Sequence, residues 1–245
     1  MPFREQLVGE STMLHRQEAE QIISERGWFS LLPNTLRRAI LDRASLKVYQ
    51  AKQPIYHIGD PPGGIYGLIA GGIGISVAPG MHGPYFAHFA RSGFWFGEAS
   101  VISGRPRRVG VVARRKTMLL QLSLSSILEL AVSDPTVWRF LALNAVESLD
   151  LAISGYDDLM IRQPQTRLMA VLLRLAGYGS DLVTADDALD IDVTQSELAE
   201  ITGLCRNGVG GILSRLSAAE LITAGYRQIR INQPVVLAQM IQDAR

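Results

Sequence analysis

Between residues 45 and 123, apolar and polar positions form short runs rich in β-branched and aromatic residues. They are Leu46-Lys47-Val48-Tyr49, Ile65-Tyr66-Gly67-Leu68-Ile69, Ile73-Gly74-Ile75-Ser76-Val77, Tyr85-Phe86-Ala87-His88-Phe89, Val109-Gly110-Val111-Val112 and Met118-Leu119-Leu120-Gln121-Leu122. Each has the length and makeup of a strand. Turn-forming clusters divide them: Gly59-Asp60-Pro61-Pro62-Gly63-Gly64, Ala70-Gly71-Gly72 and Pro79-Gly80. Short strands at near-regular spacing predict an antiparallel sandwich or barrel.

On either side the period is helical. Residues 1–20 read as a loose arm or short helix, and residues 34–44 as an amphipathic helix capped by Asn34. Ser123 to Val132 is a short amphipathic segment. Asp134-Pro135 then predicts the start of a long helix. Its carboxylate can accept a free N–H, and Pro135 loses nothing at the first helical position. The helix runs to about Arg162, and Pro164 stops it. Along it, Trp138, Ala142, Ala145, Leu149, Ala152, Tyr156 and Leu159 recur at alternating steps of 4 and 3, the pattern of a core helix of the barrel or of a two-helix seam between subunits, the second favoured because a helix apolar on two faces needs two partners. Leu143, Val146, Leu151 and Ile153 lie off that seam and form a second apolar face for the β domain.

From residue 163 onward, helices precede a short β pair. Arg167 to Ala176 is amphipathic and ends at Gly177 and Gly179. Thr194 and Glu197 form the S/T-x-x-E capping box of the next helix. Ala199, Gly203, Val209 and Ile212 then stand where a helix-turn-helix needs a small crossing residue, a glycine turn and two apolar anchors. Thr223 to Ile231 reads as a hairpin wing. In such a motif Arg206 and Asn207 open the helix that enters the major groove, suited to guanine and adenine. Gly208 and Gly211 follow in that helix. Arg215, Arg227 and Arg230 are candidates for phosphates. Gly208, Gly210 and Gly211 are poor helix formers, implying close backbone approach or a helix that firms on DNA.

Composition narrows the class. Hydrophobic residues make up 47% of the 245 and charged residues 19%, enough for sizeable cores in two domains. The net charge of +1 is silent about nucleic acid. Residues 163–245 hold 7 Arg or Lys against 9 Asp or Glu, with acids crowded before Glu200 and arginines after it. One cysteine, Cys205, excludes a disulfide framework and a multi-cysteine metal site within the chain. No signal peptide and no run of about 20 apolar residues is present, so the expectation is a soluble cytoplasmic protein; the DNA-reading pattern adds the expectation that it is not an enzyme.

Together these segments resemble the Crp/Fnr family of bacterial regulators over about residues 22–233. The likeness rests on Trp28-Phe29-Ser30-Leu31-Leu32-Pro33, on Tyr56-His57-Ile58-Gly59-Asp60-Pro61 with the strand after it, on Phe96-Gly97-Glu98-Ala99-Ser100 through Pro106-Arg107, and on the helix-turn-helix. The resemblance implies an α+β chain in three parts. Residues 1–133 would be a cyclic-nucleotide-binding-like antiparallel β-barrel (jelly roll), 134–162 a dimerisation helix, and 163–245 a winged helix-turn-helix. It implies a homodimer on a near-palindromic double-stranded operator, working with RNA polymerase. Glu98 would take a ribose hydroxyl and Arg107 a cyclic phosphate, with backbone from Gly97, Ala99 and Ser100, making cyclic AMP or a related nucleotide the candidate effector.

The chain departs from that pattern at several places. Arg108 replaces the usual Ser or Thr. Positions that offer hydroxyls to adenine become Ala152 and Ile153, which cannot hydrogen-bond a base. In the reading helix Asn207 replaces Glu and Gly211 replaces a second Arg, so the operator should differ from the usual half-site. Three other readings remain: a haem or redox sensor using His15, His57, His82, His88 or Cys205; a ligand-free scaffold with Arg105, Arg107, Arg108, Arg114, Arg115 and Lys116 as a solvated face; and a cupin-like metal enzyme using His82, His88 and Glu98.

Overall fold

The computed structural model describes residues 16–24, 27–78, 83–178 and 189–244. Three short helices come first: α1 (Arg16–Ser24), α2 (Gly27–Ser30) and α3 (Asn34–Arg43). Eight strands follow: β1 (Ser45–Tyr49), β2 (Pro54–Tyr56), β3 (Gly64–Ala70), β4 (Ile73–Val77), β5 (Tyr85–Ala90), β6 (Trp95–Phe96), β7 (Val109–Ala113) and β8 (Thr117–Ser123), with α4 (Glu98–Ser103) between β6 and β7. Asn34 does not cap α3. Pro33 holds the cap position, and no side chain bonds the helix end.

The strands form two four-stranded antiparallel sheets, ordered β1-β8-β3-β6 and β2-β7-β4-β5. They are open and jelly-roll-like rather than a closed barrel, which corrects the barrel expectation. Tyr56, Tyr66, Leu68, Ile73, Phe96, Val111 and Leu119 are buried together as one core. The outer face of the first sheet meets the helices. There Trp28, Phe29 and Trp95 pack ring on ring, with centroids 4.7 to 5.4 Å apart. Burying each such side chain contributes roughly 1.5–3 kcal/mol, so this cluster anchors the N-terminal helices to the sheet.

Helix α5 (Leu124–Ser133) is capped by Ser123, whose hydroxyl accepts from Ser126 N. The long helix α6 spans Val137–Met160, later than the Asp134-Pro135 signal suggested. Asp134 accepts the N–H of Thr136, but Val137, Trp138 and Arg139 bond to carbonyls three residues back, so a tight turn precedes the helix. Pro164 is the first residue of α7 (Pro164–Leu175) as well as the break after α6.

The C-terminal portion comprises α7, β9 (Asp190–Ile191), α8 (Gln195–Thr202), α9 (Arg206–Ala218), β10 (Ile222–Gly225), β11 (Gln228–Ile231) and α10 (Pro234–Asp243). The expected hairpin gains β9 as a third strand, in the order β10-β11-β9. Helix α10 had no counterpart in the sequence reading. The core of this portion is built on Leu168, Leu172, Leu198, Val209, Leu213 and Leu237, and it takes in Phe86 and Phe89 of β5. Strand β5 and the C-terminal portion therefore share apolar contacts.

Two glycines with positive φ differ sharply in their surroundings. A Cβ on Gly64 (φ 121°) would lie 2.1 Å from the Leu122 carbonyl oxygen, whereas one on Gly104 (φ 67°) would meet nothing within 4 Å. Gly104→Ala is expected to lose about 1–2 kcal/mol, the left-handed backbone cost alone. Gly64→Ala should cost several times more, because strand β3 must move off β8. Thermal denaturation of the two variants checks the ratio, and equal losses would contradict the packing described.

Candidate functional site

Gly97 ends β6 with φ 101°, a conformation glycine adopts without strain. A Cβ there would lie 2.8 Å from the Gly64 carbonyl oxygen and 2.9 Å from Arg107 Nη1. That turn brings Glu98 and Arg107 inward, both 4% exposed. Arg107 Nη1 donates to Gly97 O at 2.7 Å and Nη2 to Gly64 O at 2.8 Å, with the guanidinium over the Tyr56 ring at 4.3 Å. Glu98 accepts from Asn144 Nδ2 at 3.0 Å and from Ser148 Oγ at 2.9 Å, both on α6. Burial pushes the Glu98 carboxyl above the usual carboxylate range. Asn144 and Ser148 had no signal in the sequence, because only the fold brings α6 against the Glu98 turn.

These residues border a cavity of about 620 Å³, within the range of small-molecule sites. Gly97, Glu98, Ala99, Ser100, Arg107 and Arg108 all line it, so the structure brings the expected effector set together. The cavity also reaches further than expected. Its walls include Phe86 and His88 of β5, Leu151, Ala152, Tyr156 and Leu159 of α6, Arg174 of α7, and Glu200 and Ile201 of α8. Ile153 does not line it and is 49% exposed.

The basic cluster is not one solvated face. Arg107 and Arg114 are buried or nearly so, while Arg105, Arg108, Arg115 and Lys116 are exposed or partly exposed. Arg114 crosses to the C-terminal portion, where its guanidinium pairs with both oxygens of Glu197 and with Asp192. Burial raises the cost of both charges. The Arg114 hydrogen bond outweighs this for Glu197 and, with the Thr194 N–H, holds its carboxyl below the usual range. Glu200 accepts from Phe86 N at 2.8 Å, joining α8 to the edge strand β5.

The helix-turn-helix takes the form the pattern required. Thr194 Oγ1 accepts from Glu197 N, Glu197 accepts from Thr194 N, and Gly203 turns the chain at φ 62°. Helix α9 is continuous through its three glycines. Close approach within the protein occurs at Gly210, where a Cβ would lie 3.3 Å from Gln195 Oε1. Arg206, Asn207, Gly208, Gly211 and Arg215 are exposed on α9. Arg227 sits in the wing turn beside Tyr226, which is 94% exposed. Arg230 is drawn into a two-point pair with Asp190 at 2.8 Å, so its charge is already matched.

The seven-residue seam on α6 divides. Trp138 packs against the N-terminal core, and Ala152, Tyr156 and Leu159 reach the cavity. The exposed apolar stripe holds Val146, Leu149, Ile153, Tyr156, Leu159 and Met160, with Ala142 and Ala152 also exposed, so five of the seven seam residues face solvent. Val146 and Ile153 thus face away from the sheets, the reverse of the second face assigned from sequence; Leu143 does pack on the core. Among the described residues, no three His, Cys, Asp or Glu side chains are grouped to hold a metal ion. His15 and His82 lie outside the described residues. Cys205 caps α9, its Sγ accepting from Gly208 N.

A jelly-roll sheet pair with a pocket at the Gly97 turn, a long helix and a winged helix-turn-helix define a two-part DNA-binding regulator. Residues 46–134 match the cyclic nucleotide-binding domain model, and residues 166–240 match the Crp-like helix-turn-helix domain model. The chain is 24% identical over 190 residues to the cAMP-activated global transcriptional regulator CRP of Pasteurella multocida, spanning 77% of this chain and 90% of that protein. It is 25% identical over 178 residues to the cAMP-activated regulator Vfr of Pseudomonas aeruginosa, spanning 71% and 83%. Its fold is similar to that of FixK2 from Bradyrhizobium japonicum, with a TM-score of 0.66 at 21% identity over 80% of this chain and 96% of that one. The chain belongs to the Crp/Fnr family and is a DNA-binding transcription regulator.

His88 gives the site a pH signature. Burial first, then the Arg174 and Arg91 charges, lower its imidazole from 6.5 to about 3. The folded state therefore holds it neutral, while the unfolded chain takes up a proton below pH 6.5. Its contribution to stability is complete above that value and declines as pH falls toward 3. Urea midpoints at pH 7.5 and pH 5 should differ more for the wild type than for His88→Gln; identical differences would show that His88 carries no such linkage.

Proposed function

We propose that this regulator works as a homodimer whose DNA affinity is set by an anionic effector held in the cavity at Gly97, Glu98, Ala99, Ser100, Arg107 and Arg108. The working units are residues 1–133 as sensor, 134–162 as dimerisation helix and 163–245 as DNA reader. One observation carries this reading: a single cavity is walled both by the Gly97–Arg107 segment and by α8, the first helix of the reading motif. Its occupant would touch sensor and reader at once, and a ligand favouring one docking of the two shifts the population toward it. The Arg114–Glu197 pair and the Glu200–Phe86 bond are contacts such a shift would break or keep.

Cyclic AMP or a related nucleotide is a second reading, favoured by the family model over residues 46–134. Glu98 and Arg107 would meet the ribose and phosphate alongside or in exchange for their present bonds to Ser148, Asn144, Gly64 and Gly97, since a guanidinium has five donors and a carboxylate oxygen accepts more than one bond.

For DNA, Arg206 and Asn207 read bases in the major groove. Gly208 and Gly211 leave room for the duplex, and Arg215 and Arg227 meet phosphates. Arg230 joins them only by leaving Asp190. With an operator selected from random duplexes, Arg206→Ala should weaken specific binding by about 1–3 kcal/mol and relax preference at one base pair. Arg215→Ala should weaken all sequences alike and lower the salt slope by about 1. Fluorescence anisotropy at several salt concentrations separates these effects, and a sequence-neutral loss at Arg206 would contradict base reading.

The dimer surface is the exposed stripe of α6 around Ile153, which takes in Ala142, Leu149, Ala152, Tyr156 and Leu159 of the seam read from spacing. Ile153→Glu should fold as the wild type does, because the position is already open to solvent. It should shift sedimentation from dimer to monomer. A variant that sediments as a dimer would place the interface elsewhere.

A further inference from the structure

The chemistry of the cavity changes along its length. At the Arg107 end, both groups expected to hold a nucleotide are engaged within the protein. Arg107 bonds two carbonyls and stacks on Tyr56, and Glu98 bonds Asn144 and Ser148. Arg108 beside them is different. It lines the cavity, it is exposed, and among the described residues no hydrogen bond or ion pair engages its guanidinium. A planar cation open to a largely apolar chamber is matched by a carboxylate or phosphate.

Beyond that end the walls are mostly apolar; His88 stands among them, and the two charged side chains there are already paired, Arg174 with Asp158 and Glu200 with Phe86 N. Ile75, Val77, Phe86 and Phe94 stand on the sheet side, and Leu151 and Leu159 on α6. Past Ser148, the α6 lining residues are Leu151, Ala152, Gly155, Tyr156 and Leu159, of which only Tyr156 has a side chain able to hydrogen-bond. A purine presents donors and acceptors around its edge, and burying them against such a wall without partners is unfavourable. Hydrocarbon loses nothing there and gains by leaving water. The chamber also borders Ile201 of α8, an apolar residue of the DNA-reading motif.

We propose that the effector is an amphipathic organic anion: one carboxylate or phosphate head held by Arg108, and an apolar body lying between β5 and α6 with its end against Ile201. The proposal rests on the reading of this cavity as the effector site. It explains why Arg108 stands where a small hydroxyl residue would serve a cyclic phosphate. It also gives the ligand a direct route to the reading motif, since body length decides how firmly it presses on α8.

The test is calorimetric titration of the full-length protein with three probes: dodecanoate below its micelle concentration, the neutral dodecanol, and cyclic AMP. Dodecanoate should bind at one per chain, with dodecanol at least tenfold weaker. Arg108→Ser should weaken dodecanoate at least tenfold and leave dodecanol unchanged. Ala152→Trp, which fills the chamber, should abolish binding of both; Leu159→Trp serves as a second filler if the first lowers the melting temperature. Dodecanoate binding that survives either folded filler would overturn the proposal, as adsorption to the surface. Saturation by cyclic AMP without dodecanoate would overturn the amphipathic ligand while leaving the effector reading intact. No binding of any probe, to protein that still binds DNA through Arg206, would overturn both.

Discussion

Arg114 holds the two portions of the molecule in the arrangement that everything else requires. Its side chain is 8% exposed, so the guanidinium has given up most of its water. A buried charge is tolerated only with partners of opposite sign and satisfied donors. Glu197 and Asp192 provide them for the two terminal nitrogens from the C-terminal portion, Nε has no hydrogen-bond partner among the described residues, and the Phe86 ring lies beneath at 5.1 Å. Phe86 and Phe89 continue the contact as apolar packing into the core of the DNA-reading portion. Without this docking α8 would not face β5, and the cavity would lose the wall made by Glu200 and Ile201.

Much of the local structure was legible in the chain. The run from Ile73 to Val77 is a strand with those ends, and the Thr194–Glu197 box starts a helix as written. Both signals are local and face no competing interaction. Strands β2 and β6 were missed because three and two residues are too few to show a period. The order of strands in each sheet depends on distant pairing, which no window along the chain displays. At Asp134 a valid cap signal was present, but i→i+3 bonds took the following residues and delayed the helix.

The site was legible in its parts and not in its connections. Glu98 and Arg107 stood out by resemblance, and both border the cavity. Their partners could not be read, since Gly64 lies 43 residues from Arg107 and Ser148 lies 50 from Glu98. The same holds for Arg114 and Glu197, 83 residues apart. On α6 the alanines fitted either face, and the choice fell to Trp138. That large ring packs on the N-terminal core, turning Val146 and Ile153 outward.

The two oxygens of Glu197 divide their work unequally. Oε2 serves the cap, accepting from Thr194 N and Thr194 Oγ1, and also receives Arg114 Nη2; Oε1 meets Arg114 alone. If Arg114 withdraws, the first turn of α8 keeps its cap. The joint can therefore open and close many times over without the helix fraying, like a latch whose bolt leaves the door frame sound. The motif that meets DNA would be the same folded object with the Arg114–Glu197 pair made or broken.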